Sequence, residues 1–398
     1  MAVPTALFLP FAKPSITDRE RQAVLDVLDS GWLTTGARTK EFEQKFAERV
    51  GAAHAIALNS ATAALHLALE ALGIGPDDEV IVPTWTFAAT AEVVAYLGAR
   101  PVLIDVDRRT LNATAETILS AVTPRTRAVM AVHVAGLPVE IERLIAELEP
   151  TGVAVVEDAA HAFPSRVGGP AGRYVGTFGR AGAYSFYATK TITTGEGGML
   201  VTDDEAIAAR ARVMGLHGIS RDAWNRYTAS GSWYYEIEDA GFKYNMTDIA
   251  AALGIVQLDR ADELLAARRA LAAAYTARLM EVPWADLLEA PPDAADGAHA
   301  WHLYIIRLEL DRLTIDRAEV IDGLKALGIG TSVHFIPLHL HPYYRRRWGY
   351  ARDDLPVAAA EYERAISLPI WPGMSESDVE RVVAGLGAVL TAARRTRA

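Results

Sequence analysis

Residues 153–162 read VAVVEDAAHA, and the architecture of the chain is decided there. Positions 153–156 are apolar throughout and rich in valine, with no polar alternation. Such a strand suits the interior of a parallel sheet covered by helices on both faces; a strand with one wet face would alternate. The run ends in two carboxylates, Glu157 and Asp158, and His161 follows three positions after Asp158. Working outward, six more short apolar runs read as strands, at 54–58, 79–82, 101–105, 127–133, 183–187 and 199–202. Helical patterns separate them, such as 62–72, with Leu65, Leu69 and Leu72 on a stripe, and 138–148. Strands alternating with helices in this way predict an α/β fold built on a mostly parallel sheet.

The texture changes after residue 246. The Ala/Leu-rich stretch 247–279 reads as one or two long helices with Thr247 or Asp248 near the N-cap. EAPPDAADGAHA at 289–300 has the strongest loop composition in the chain. A strand in WHLYIIRLEL (301–310), a helix at 317–327, a second strand near GTSVHF (328–335 with its GI lead) and a closing helix complete a smaller α+β unit. The expected organisation is a large domain with an N-terminal arm over 1–246, then connecting helices and a small α+β domain over 247–398.

Composition excludes several chemistries. The chain has 398 residues and 51% hydrophobic content, enough for a sizeable core. It carries 39 Lys and Arg against 50 Asp and Glu, a net charge of −11. An acidic chain without a basic block is poorly suited to a nucleic-acid backbone. With no cysteine, disulfides, thiolate zinc sites, cysteine-held iron–sulfur clusters and cysteine nucleophiles are ruled out, and no metal is expected. The opening MAVPTALFLPFAKP lacks a basic region, and no apolar run reaches the ~18 residues of a membrane span. The expectation is a soluble cytoplasmic protein with small-molecule substrates, bound to neither nucleic acid nor membrane.

Three motifs carry chemistry. In LNSATAALHLAL (58–69) a strand passes through a small-residue turn into a helix, so Ser60, Ala61 and Thr62 sit at the positive end of that helix. That suits a phosphate, although Ser and Thr also favour such places as ordinary caps. Asp158 ends a buried strand, where a carboxylate either meets a cation or caps the next helix. In AYSFYATKTITTGEGGMLVTDD (183–204) a strand delivers Ser185 and then Lys190 in a loop before a Gly-rich turn. Burial and nearby cations can leave such a lysine neutral and nucleophilic, whereas a lysine beside glycines is commonly just solvated. PTWTFAAT (83–90) puts Phe87 after a strand, as a stacking ring or a core aromatic.

Together these motifs are far more specific. The helix-start cradle, the strand-end Asp and the loop Lys follow in order, with 96 residues from Thr62 to Asp158 and 32 more to Lys190. That is the order in which fold-type I enzymes arrange pyridoxal 5′-phosphate. Over nearly its whole length the chain resembles the DegT/StrS sugar aminotransferases, within them the UDP-4-amino-4-deoxy-L-arabinose aminotransferase branch. The resemblance rests on SGWLTTG, NSATAALH, EDAAHA, SFYATKTITTGEGGM, GFKYNMTDIAAALGIVQL, AWHLYIIRL, GIGTSVHF and SLPIWP.

The resemblance implies a homodimer with two shared active sites and the following roles. Lys190 bonds the cofactor and shuttles protons. Asp158 pairs with the pyridine nitrogen, and His161 lies beside the ring oxygen or buttresses Asp158. Phe87 stacks on the ring; Ala61, through its N–H, Thr62 and Ser185 hold the phosphate. Asn245 reaches that phosphate from the other subunit, where residue patterns alone would make it a helix cap. His334 and His339 face the sugar or serve the structure. The segment reads HFIPLH where the arabinose branch carries HFRAAH, so the resemblance specifies the reaction class and not the sugar. The implied reaction moves an amino group from an L-amino acid, glutamate foremost, to C4 of a keto sugar on a nucleoside diphosphate. Arg221 and Arg226 are candidates for the donor's distal carboxylate. A sugar 3-dehydratase of the same family would carry histidine in place of Lys190. A non-catalytic sensor retaining the fold would be expected to lose Lys190, Asp158 or Ser185.

Overall fold

The computed structural model describes residues 8–169, 171–219, 234–294 and 298–395. Arg221 and Arg226 therefore lie outside the described residues. Among these residues the principal sheet has seven strands: β1 (His54–Leu58), β2 (Glu79–Pro83), β3 (Arg100–Ile104), β4 (Thr126–Val132), β5 (Ala154–Asp158), β8 (Ala181–Ser185) and β9 (Gly198–Thr202). A short hairpin, β6 (Arg166–Val167) with β7 (Arg173–Tyr174), interrupts the sequence order between β5 and β8. Across the sheet the order is β1-β9-β8-β5-β4-β2-β3. β9 is antiparallel to both its neighbours, and the remaining pairings, β2–β3, β2–β4, β4–β5 and β5–β8, are parallel. The mostly parallel α/β sheet read from the sequence is therefore present. Its strands match the expected runs to within two residues at either end.

Burial explains why these runs are apolar. Val156, Met130, Val80 and Val82 lie on one side of the sheet, in a core shared with the Ala61–Ala71 helix. Ile81, Val129 and Val155 lie on the other, under the Ile141–Leu148 helix. The Ala61–Ala71 helix buries Ala63 through Leu69 on every side and leaves Leu72 half-buried. The expected single stripe is therefore absent: this helix is wedged between the sheet and neighbouring helices. Each of its fully buried leucines contributes about 1.5–3 kcal/mol.

A second, three-stranded antiparallel sheet, β10 (Leu288–Glu289), β11 (Tyr304–Leu308) and β12 (Ala365–Leu368), carries its own core with the Arg317–Ala326 and Glu376–Ala392 helices. One expectation is corrected here. The GTSVHF segment forms no strand; Ser332 alone makes a bridge, to Ser367 of β12. The stretch 247–279 forms two helices, Asp248–Asp259, capped by Thr247, and Ala261–Glu281. The second spans both cores: Ala261 and Leu264 pack with Phe42 and Phe46, whereas Leu271 and Tyr275 pack around the small sheet.

Candidate active site

The C-terminal ends of the parallel strands open into a cavity of about 490 Å³. Ligands bind at that edge of parallel α/β sheets, and here each contribution traces to a local cause. β1 ends at Leu58, and Ser60 then caps the Ala61–Ala71 helix, its hydroxyl accepting from the N–H of Ala63 at 3.1 Å. The first N–H groups of a helix have no intrahelical acceptor, so those of Ala61 and Thr62 remain for an anion. Ser60 thus does the capping, and the two residues after it keep free N–H groups. Gly198, the first residue of β9, packs so closely on this turn that a Cβ would overlap the backbone of Ser60 and Ala61.

Asp158 closes β5 and is 7% exposed. Its Oδ2 accepts from Thr90 Oγ1 at 2.8 Å, and its Oδ1 from the N–H of Ala160 at 3.2 Å. Burial pushes its pKa up against the pull of those hydrogen bonds and of Lys190. The preceding residue is fixed in place: Glu157 accepts from the N–H groups of Gly176, Phe178 and Gly179 at 2.8, 2.6 and 2.7 Å. His133 Nδ1 accepts from Val139 N–H at 3.2 Å, which leaves Nε2 to donate to Glu157, also at 3.2 Å.

Lys190 sits in the loop joining β8 to β9, its N–H donating to the carbonyl of Tyr187 at 2.9 Å. The side chain keeps some surface open to the cavity but is walled by protein. Desolvation lowers its pKa to about 8, with Asp158 opposing and Arg268 assisting. His161 faces the same space with Nδ1 buried and unpartnered, and burial first, then Lys190, holds it well below its ordinary pKa. Its ring stacks on Phe335 with centroids 5.7 Å apart and lies 4.4 Å from His302. Phe87 is 61% exposed, 5.8 Å from the Phe335 ring, and Ser185 completes the cradle side.

Ala61, Thr62, Phe87, Asp158, His161, Ser185, Lys190 and His334 all line this one cavity. His334 donates or accepts at Ser367 Oγ, 2.9 Å from its Nδ1, and burial lowers its pKa to about 4. Asn245 does not line the cavity of its own chain; its amide donates to Thr35 Oγ1 at 2.6 Å. His339 lies outside the cavity, wholly buried, with Nδ1 2.8 Å from Thr84 Oγ1. Of the two alternatives for this residue, its burial is the arrangement expected of the structural one.

Sequence reasoning missed Trp85, Thr90, His302 and Phe335. Trp85 donates from Nε1 to the carbonyl of His334 at 3.0 Å. Trp85, His302 and Phe335 stand inside motifs already singled out, and a rule that the aromatics of a motif also line its cavity would have found them. Thr90 carried no signal, since its partner Asp158 is 68 residues away.

The chain matches the DegT/DnrJ/EryC1/StrS aminotransferase family over residues 14–387. It belongs to that family. It is 47% identical over 377 residues to the spore coat polysaccharide biosynthesis protein SpsC of Bacillus subtilis, covering 94% of this chain and 95% of that one. Its fold superposes on the PLP form of the putative sugar aminotransferase Spr1654 of Streptococcus pneumoniae with a TM-score of 0.88, at 31% identity over 97% of this chain and 99% of that one. PseC of Helicobacter pylori, an aminotransferase involved in the biosynthesis of pseudoaminic acid, gives a TM-score of 0.88 at 26% identity, covering 97% of this chain and all of the other.

Pyridoxal 5′-phosphate, the cofactor of this family, fits the residues present. A buried carboxylate with no cation bonded to it meets the need of a pyridine N–H. The helix start meets a phosphate, the exposed Phe87 ring a flat ring, and the Lys190 amine a carbonyl carbon. Among the described residues no group of three His, Cys, Asp or Glu could hold a metal, and no helix is long and apolar enough to cross a membrane.

Proposed function

We propose that this sugar aminotransferase moves an amino group from L-glutamate to C4 of a keto sugar carried on a nucleoside diphosphate. The observation that carries the reading is one cavity uniting the Lys190 amine, the Asp158 carboxylate and the Ala61–Thr62 helix start. Bound pyridoxal phosphate would supply the electron sink for breaking and making carbon–nitrogen bonds. The chain's own residues do the rest. Ala61, Thr62 and Ser185 would anchor the phosphate, Asp158 would hold a proton on the ring nitrogen, and Phe87 would stack on the ring. Lys190 Nζ, with its pKa near 8, exchanges a proton with substrate carbon close to neutral pH. His161, kept neutral, offers Nδ1 to a ring oxygen or to substrate. The proposal includes a homodimer in which Asn245 serves the partner's phosphate site. Its supports are the place of Asn245 outside its own cavity and the exposed rings of Phe87 and Tyr187 at the cavity mouth.

The test is a panel of UDP-, dTDP- and GDP-linked 4-keto sugars incubated with glutamate, with products read by mass spectrometry. A 4-amino sugar nucleotide from at least one member, with one equivalent of 2-oxoglutarate, is expected. Amination confined to 3-keto sugars, or a deoxygenated product, would overturn the assignment.

A further inference from the structure

Arg268 lies near the middle of the connecting helix Ala261–Glu281 and is only 2% exposed. A buried guanidinium ordinarily meets a carboxylate, because desolvating an unpaired charge is costly. This protein follows that rule elsewhere. Buried Arg260 pairs with Glu20 at 2.5 Å, and buried Arg307 with Glu289 at 3.2 Å. Arg268 has no carboxylate partner among the described residues. Its Nη1 donates to the carbonyls of Trp301, His302 and Ile370 at 3.2, 3.2 and 2.9 Å, and its Nη2 to that of Thr189 at 3.4 Å. Its Nε has no hydrogen-bond partner. Carbonyl dipoles satisfy the donors but leave the net charge uncancelled.

The acceptors are informative. Thr189 immediately precedes Lys190, and His302 lines the same cavity. We propose that Arg268 is a positioning residue for Lys190, one that pins the Thr189 carbonyl and, by its uncancelled charge behind the cavity wall, favours the neutral amine. The other charged or titratable groups lining the cavity with Lys190 are Asp158 from β5, His161 from the turn after it, Tyr187, Glu196, His302 and His334. The three histidines are held below their ordinary pKa by burial, so near neutral pH they add little positive charge. Asp158 acts in the opposite direction. Among the described residues Arg268 is thus the fixed cation of the set.

The inference rests on Lys190 being the reactive amine, so it is tested on cofactor-free protein, where its failure is separate from failure of the proposed reaction. Trace labelling with acetic anhydride, read by mass spectrometry of the peptide bearing Lys190, reports the neutral fraction of that amine at each pH. In the wild type the midpoint is expected near 8. In Arg268→Gln it should rise by about one unit, a roughly tenfold loss of labelling below the midpoint. Arg268→Lys keeps a cation only while its own buried amine stays protonated, so it should bring the labelling below pH 8 back toward the wild-type level. A purely structural arginine would lower the melting temperature of both variants and move neither midpoint, which would overturn the proposal. If Arg268→Gln does not fold, Arg268→His, neutral above pH 8 and still a donor, is read in its place. A wild-type midpoint at 10 or above would sink the idea with no variant at all.

Discussion

Lys190 is a residue the fold tolerates at a cost. Its pKa is ordinarily 10.5 and falls to about 8 in the folded chain, so between those values the unfolded chain binds the extra proton. Stability therefore rises with pH across that window, and below pH 8 the full penalty of enclosing the cation is present. In the cofactor-free protein, Lys190→Met should raise stability at pH 7 by about 1–3 kcal/mol while abolishing turnover. The gain should shrink as pH climbs from 8 to 10.5, as followed by thermal unfolding at several pH values. A variant less stable than wild type at pH 7 would mean that the amine is solvated or fully compensated. At this scale the sequence was legible for placement, since Asp158 and Lys190, read from separate motifs, line one cavity. It was not legible for His339, whose neighbours LHLH give no sign that Thr84, 255 positions earlier, will hold it in the interior.

At the scale of elements, the cradle depends on a close approach of two of them. Gly198 of β9 lies against the Ser60–Ala61 backbone, and any Cβ there would push the helix start away from the cavity. Gly198→Ala should cost about 1–3 kcal/mol of stability and weaken cofactor binding at least about tenfold, measured by thermal unfolding and by titration of the visible absorption band. Normal cofactor affinity in that variant would relocate the phosphate site. Strands of the large sheet were readable because both of their faces are buried, which makes each an unbroken apolar run. GTSVHF misled for the converse reason. His334 and Phe335 are adjacent, yet both line the cavity, an arrangement that alternating side chains of a pleated strand do not allow. β10, at two residues, is too short to leave any pattern.

For the whole molecule the question is whether one site draws on two chains. Under the shared-site proposal, Lys190 and Asp158 come from one copy and Asn245 from the other. Lys190→Ala and Asn245→Asp, whose new carboxylate would repel a phosphate, should each be nearly inactive alone. Unfolding, mixing equally and refolding makes half the dimers mixed, and one site of each mixed dimer then carries neither defect. Activity should return to about a quarter of wild type. No recovery, with mixed dimers demonstrated by mass spectrometry, would place Asn245 in the service of its own chain.

The single antiparallel strand of the large sheet has a kinetic meaning. Because β9 runs against β8, Ser185 and Gly198 face one another across the ladder, and Tyr187, Thr189, Lys190, Glu196 and Gly197 of the connection between them line the cavity. It is also tied to itself: the N–H of Phe186 donates to the carbonyl of Gly197, and that of Thr194 to the carbonyl of Phe186, both at 2.9 Å. Under the proposed function the amine is thus a tethered reactant with almost no translational freedom left to lose. Well-oriented groups held this way act at effective molarities of about 10⁵–10⁸ M. A small amine dissolved at about 1 M beside a protein lacking Lys190 would face the same carbonyl carbon as a rare visitor, five or more orders of magnitude more dilute.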